Sequence, residues 1–216
     1  MRTAIFQKWI FRVIALVCLL VVGAGFTLAI WLSGSQSAAG YSFYFLVYQT
    51  DSLQASQSDI RLQGGAGYLM DTGVAFSVYF EESTAESVRN RIVKDYPTAT
   101  VKCLKTGNFR LCGSEQRDRI IGEYTSFYGV LKSLERTVEL LENGQTQNKI
   151  KNLLHDLCDW LDYFSRESEV ELGKVVQVLS NGLKEAMEGV VYADALRYSL
   201  CEACEGLAAS AVRFNF

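Results

Sequence analysis

The spacing of apolar residues changes character three times along the chain. From Val13 to Leu32 there is no alternation, only twenty uncharged positions (VIALVCLLVVGAGFTLAIWL). A helix of that length spans about 30 Å, the thickness of a bilayer core. Arg2, Lys8 and Arg12 precede it, and no acid occurs before Asp51. Positive flanks stay in the cytoplasm, so the pattern predicts a single-pass anchor of the cytoplasmic membrane. Residues 1–12 are then inside and everything after Leu32 outside. Trp9 and Trp31 sit at the two edges, where indoles favour the interface. Ser37-Ala38-Ala39 would satisfy a signal-cleavage site, but a signal's apolar region is usually only about 7–15 residues, which favours a retained anchor. Residues 33–40 (SGSQSAAG) read as a flexible spacer of small residues.

Residues 41–105 alternate with period two. Tyr41–Tyr48, a short run at Gly67–Met70, Val74–Phe80 and Thr98–Leu104 read as strands. Asp71-Thr72-Gly73 is a turn between the second and third. Helical stretches fall at Ser52–Leu62 and Ser83–Asp95, the second with Ala85, Val88 and Ile92 on one face and Pro97 enforcing its stop. The order βαββαβ predicts an α+β, ferredoxin-like sandwich with two helices on one face of a four-stranded sheet. In that arrangement Phe43, Phe45, Val47, Val74, Phe76, Val78, Ala99 and Val101 face the helices. The free face carries Tyr44, Tyr48, Ser77, Tyr79, Thr100 and Lys102.

Residues 106–114 read as a linker, and 115–216 step by three and four. Ile120, Tyr124, Phe127, Leu131, Leu134, Val138 and Leu141 form one stripe, stopped by Asn143-Gly144. Ile150, Leu154, Leu157, Leu161 and Phe164 form the next. Ser168 and Glu171 have capping-box spacing before Leu172, Val176, Leu179, Leu183 and Met187. After Gly189 the phase slips into Leu196, Leu200, Cys204 and Leu207. The expectation is an antiparallel bundle of three to four helices.

Three runs in residues 41–105 carry a family resemblance. Phe45-Leu46-Val47-Tyr48-Gln49 opens one strand–turn–helix repeat, and Gly64-Gly65-Ala66-Gly67-Tyr68-Leu69 leads into the next strand. Val74 to Phe80, followed by Glu82-Ser83-Thr84-Ala85-Glu86-Ser87-Val88, opens the second repeat. With an inward N-terminus, an anchor and a spacer, this resembles bacterial proteins with a SPOR (sporulation-related repeat) domain. Where that family commonly has a Gly and an aromatic after each strand, this chain has Gln49-Thr50 and Phe80-Glu81. The resemblance implies binding to peptidoglycan glycan strands in cell division or sporulation. Tyr44, Tyr48, Ser77, Tyr79, Thr100 and Lys102 are the candidate glycan contacts, because aromatic faces stack on sugar C–H groups while polar side chains meet the hydroxyls.

Composition narrows the remaining chemistry. The chain has 216 residues, is 49% hydrophobic and carries a formal charge of -3, so no basic surface points to nucleic acid. A single His excludes two-His metal motifs and, with no Gly-x-Ser-x-Gly, votes against a hydrolase. Gly64-Gly65-Ala66-Gly67 lacks the Lys-Ser/Thr of a phosphate loop and reads as a helix-to-strand turn. Glu81, Glu82 and Glu86 fit a helix N-terminus. Of six cysteines, Cys103 and Cys112 flank a short loop and can pair outside the cytoplasm. His155 with Cys158, and Cys201 with Cys204, have one-turn spacing that would suit zinc. The expectation is therefore a non-catalytic envelope protein without a cofactor, whose partners are glycan strands, or envelope proteins meeting its bundle and sheet face. A zinc or redox protein is the remaining alternative.

Overall fold

The structure, a computed structural model, describes residues 35–38, 40–106, 109–112, 115–168 and 170–211. The expected membrane helix Val13–Leu32, and with it Cys18, lies outside them. Among the described residues no helix is long and apolar enough to cross a membrane.

The molecule is mixed α+β. Among the described residues six strands, β1 Ser35–Ala38, β2 Ser42–Tyr48, β3 Tyr68–Met70, β4 Gly73–Tyr79, β5 Ala99–Lys105 and β6 Phe109–Cys112, accompany six helices. The helices are α1 Leu53–Leu62, α2 Glu82–Ile92, α3 Glu115–Glu142, α4 Gln147–Glu167, α5 Val170–Ala186 and α6 Ala193–Ala211. The main sheet has four antiparallel strands in the order β3-β4-β2-β5.

Local chemistry explains the joints. After α1 the chain reverses through Gly64 (φ 82°) and Gly67 (φ 59°), in the left-handed region that favours glycine. A Cβ at Gly67 would also meet the Gln57 carbonyl at 2.9 Å. The β3–β4 hairpin needs Gly73 (φ 155°), which lies directly against the Tyr48 carbonyl. In α2, Glu82 occupies the first turn and Arg89 and Arg91 the last, the polarity that the helix dipole favours. Glu86 pairs with Arg89 at 3.2 Å.

Two expectations about connections are corrected. The stretch read as a spacer contains β1, and the stretch read as a linker contains β6. The two pair antiparallel, Ser35 opposite Cys112 and Ala38 opposite Phe109. Backbone pairing needs no apolar alternation, so SQSA gave no period to detect. At the capping-box position, the Ser168 hydroxyl is buried and makes no hydrogen bond.

A larger correction concerns the sheet faces. Phe43, Phe45 and Val47 do not face α1 and α2. They join one continuous core with Phe127, Leu131, Leu200 and Leu207 of the bundle. The face over α1 and α2 is a second cluster of Leu46, Ile60, Val74, Phe76, Tyr96 and Ala99. A β-bulge divides β4 between the two. Leu46 pairs with Ser77 but Val47 with Ala75, so Phe76 is the extra residue. Val74 and Phe76 therefore pack with α1 while Val78 packs with the bundle. The sheet is a middle layer, and the bundle is not a detached module.

The bundle has four helices. α3 packs against α4 and α6, and α5 closes the ring against the same two helices. α6 lies on the sheet against β3, β4 and β5. Polar contacts fix this seam. Arg197 of α6 donates to the Gly64 carbonyl and pairs with Glu142, and the Tyr68 hydroxyl donates to Glu205. Tyr41 stacks on Tyr128 at 4.1 Å.

Candidate functional site

The predicted glycan contacts do not form an open platform. Tyr44, Tyr48, Tyr79, Thr100 and Lys102 are half-buried, and Ser77 is buried. Tyr48 meets Tyr96 edge-on at 5.1 Å, and Tyr96 meets Phe76 at 4.6 Å. The Tyr96 hydroxyl donates to Asp59 at 2.7 Å. Burial and this bond to a carboxylate hold the Tyr96 phenol protonated, well above its ordinary range. Burial raises the Tyr79 phenol too, against the opposing pull of Arg197 and the Ser77 hydroxyl. Tyr44 stands opposite Tyr79 in the β2–β4 register, and Thr100 and Lys102 lie on the outer strand β5. These tyrosines pack the fold.

The cysteine constellations are not assembled either. Cys103 is exposed and free. Cys112 belongs to β6, paired with Ser35. His155 is exposed on α4, while Cys158, Cys201 and Cys204 are buried. Among the described residues no three His, Cys, Asp or Glu side chains come together as metal ligands. Burial pushes the Cys158 thiol up to about 11, and the Cys201 and Cys204 thiols up as well, so none is poised as a thiolate.

The structure does open a cavity of about 670 Å³ on the outer side of the bundle, between α4 and α5. Its charged lining is Asp162, Arg166, Lys174 and Lys184. Ser165, Ser168, Gln177 and Asn181 supply hydroxyls and amides. The helical repeat places them: Lys174, Gln177, Asn181 and Lys184 step by three and four along α5, opposite its apolar stripe of Leu172, Val176, Leu179 and Leu183.

One end of the groove is fixed. The Asp162 carboxylate accepts from Lys184 Nζ at 2.6 and 2.8 Å and from the Ser180 hydroxyl at 2.6 Å. These bonds hold its carboxyl below the usual range, and Arg166 adds to the effect. Asp162 is thereby committed. Arg166 makes no hydrogen bond or ion pair among the described residues. The Ser168 hydroxyl has no partner although it is buried. A Cβ at Gly173 would stand 3.3 Å from that hydroxyl, so the glycine leaves room beside it.

This groove escaped the sequence reading. Its one visible signal was the polar stripe on α5, which looks like any solvated helix face. Asp162 and Lys184 are 22 residues apart, so their pairing had no local trace.

Comparison of the chain with protein-family models, with curated proteins and with solved structures finds no match.

Proposed function

We propose that this chain is a non-catalytic binding protein of the bacterial cell envelope, anchored in the cytoplasmic membrane by Val13–Leu32 with its N-terminus inside. We infer that it binds glycan, as its SPOR-like repeats suggest, but through the helical side of the molecule. The strand order β3-β4-β2-β5, with both crossover helices packed on one face, supports a ferredoxin-like unit within residues 41–105. In this reading the unit is a support for the bundle. Its other face is consumed by the core, so stacking of sugars on the sheet would require Phe43, Phe45 and Val47 to leave α3 and α6.

The observation that carries the reading is the polar groove between α4 and α5. Its volume falls in the range of about 300–1,000 Å³ typical of small-ligand sites. Hydroxyl, amide and guanidinium groups converge there, and such groups pair with sugar hydroxyls and acidic substituents.

A protein–protein scaffold is the second reading, favoured by the large exposed side chains Tyr163 (69%) and Tyr192 (62%) on the bundle. Purified sacculi separate the two. The full chain in mild detergent is expected to co-sediment with them once amidase has removed the stem peptides and bared the glycan. A protein left in the supernatant after that treatment, or one that binds equally without it, refutes the glycan reading and leaves the scaffold.

A further inference from the structure

We propose that the α4–α5 groove is a binding site for an acidic sugar, with Arg166 as the group that recognises the carboxylate. This rests on the glycan reading above and makes it specific.

Asp162, the only carboxylate lining the groove among the described residues, is balanced by the Lys184 ammonium and hydrogen-bonded by Ser180. It therefore repels an incoming anion little, and it holds the Lys184 ammonium in one position. Arg166 lies one turn further along α4. A guanidinium is a planar fork of donors that matches a carboxylate bidentately, which the point charge of a lysine does not.

The remaining lining suits a polyhydroxylated ring. Gln177 and Asn181 each offer a donor and an acceptor, and both stand on the α5 face that meets the groove. Ser168 closes one side of the groove, with its own hydroxyl buried behind that wall. Among the described residues the groove has no aromatic lining, so the affinity comes from hydrogen bonds and should be modest. A neutral sugar would leave Arg166 unmatched, and a bare oxyanion would leave the amides unmatched.

The test uses the full-length protein in detergent micelles, titrated with glucuronate, methyl glucoside and inorganic phosphate and followed by calorimetry or ligand-observed NMR. Glucuronate is expected to bind at least about tenfold more tightly than methyl glucoside, the gain of one charge-assisted pair. Arg166→Ala should remove that preference. Gln177→Ala should weaken glucuronate several-fold, and Arg91→Ala, on α2, should change nothing. All three variants should melt with the wild type. Equal binding of glucuronate and methyl glucoside overturns the proposal, as does phosphate binding as tightly as glucuronate. Unchanged glucuronate binding by Arg166→Ala also overturns it. If Arg166→Ala still co-sediments with sacculi as the wild type does, the groove is wrong while the glycan reading stands. Loss of sacculus binding by the wild type itself strikes the wider reading.

Discussion

The tyrosines of the sheet show how one side chain can be read in two ways. On a free face, Tyr48 would be a platform for ligand. Against Tyr96, it is part of a small aromatic core with Phe76. Tyr48→Ala should therefore destabilise the protein by about 2 kcal/mol, less than a fully buried aromatic because Tyr48 is only half-buried. Urea unfolding checks this, and an unchanged midpoint would contradict it. Glu135 is the other informative residue. It accepts a hydrogen bond from the Phe80 amide. Lys132, whose ammonium lies over the Phe80 and Tyr128 rings at 5.9 and 5.3 Å, also favours its charge. Burial and the nearby Glu139 and Glu81 outweigh both and raise its carboxyl to about 7. The folded state thus favours the neutral acid. Its contribution is full below the ordinary carboxylate range near 4.5 and is lost as pH rises through about 7. Glu135→Gln keeps a neutral group there. The variant should gain stability relative to wild type at pH 8 and lose the difference near pH 4, as measured by melting across that range.

At the scale of elements, the strands and helices of the two long patterned regions were legible, because period two and period 3.6 are imposed directly by backbone geometry. Which face of each strand turned which way was not. Both faces of β2 are apolar or aromatic, Phe43, Phe45 and Val47 against Tyr44, Leu46 and Tyr48. Alternation shows that faces exist without saying what covers them. The bulge at Phe76 then shifted β4 by one residue, and nothing in Val74–Phe80 announces it. The β1–β6 pair was hidden because SQSA has no pattern of its own. Its existence leads to a prediction: a fragment beginning at Tyr41 lacks β1 and leaves the β6 edge unpaired. Such a fragment should show faster amide exchange at Phe109–Cys112 than the full chain. Equal exchange would mean that the pair adds nothing. The groove was illegible for a related reason, since α4 and α5 supply it jointly and only the folded bundle sets Asp162 beside Lys184 and Ser180.

Across the whole molecule, the decisive feature is that sheet and bundle share one core. Phe43 and Phe45 are fully buried against helices that begin at Glu115. Leu131→Ala, deep in α3, should therefore cost about 2–5 kcal/mol and lower the stability of the strands with that of the bundle. Hydrogen exchange that weakened the bundle alone would show two independent modules. With the sheet committed in this way, the proposed ligand site lies on the outer side of α4 and α5. The most direct test compares sacculus co-sedimentation of two full-length double variants. Thr100→Ala with Lys102→Ala alters the outer strand of the sheet, and Arg166→Ala with Gln177→Ala alters the groove. The sheet pair should co-sediment as the wild type does while the groove pair stays in the supernatant. The reverse result, binding lost through the sheet and kept without the groove, would contradict the account.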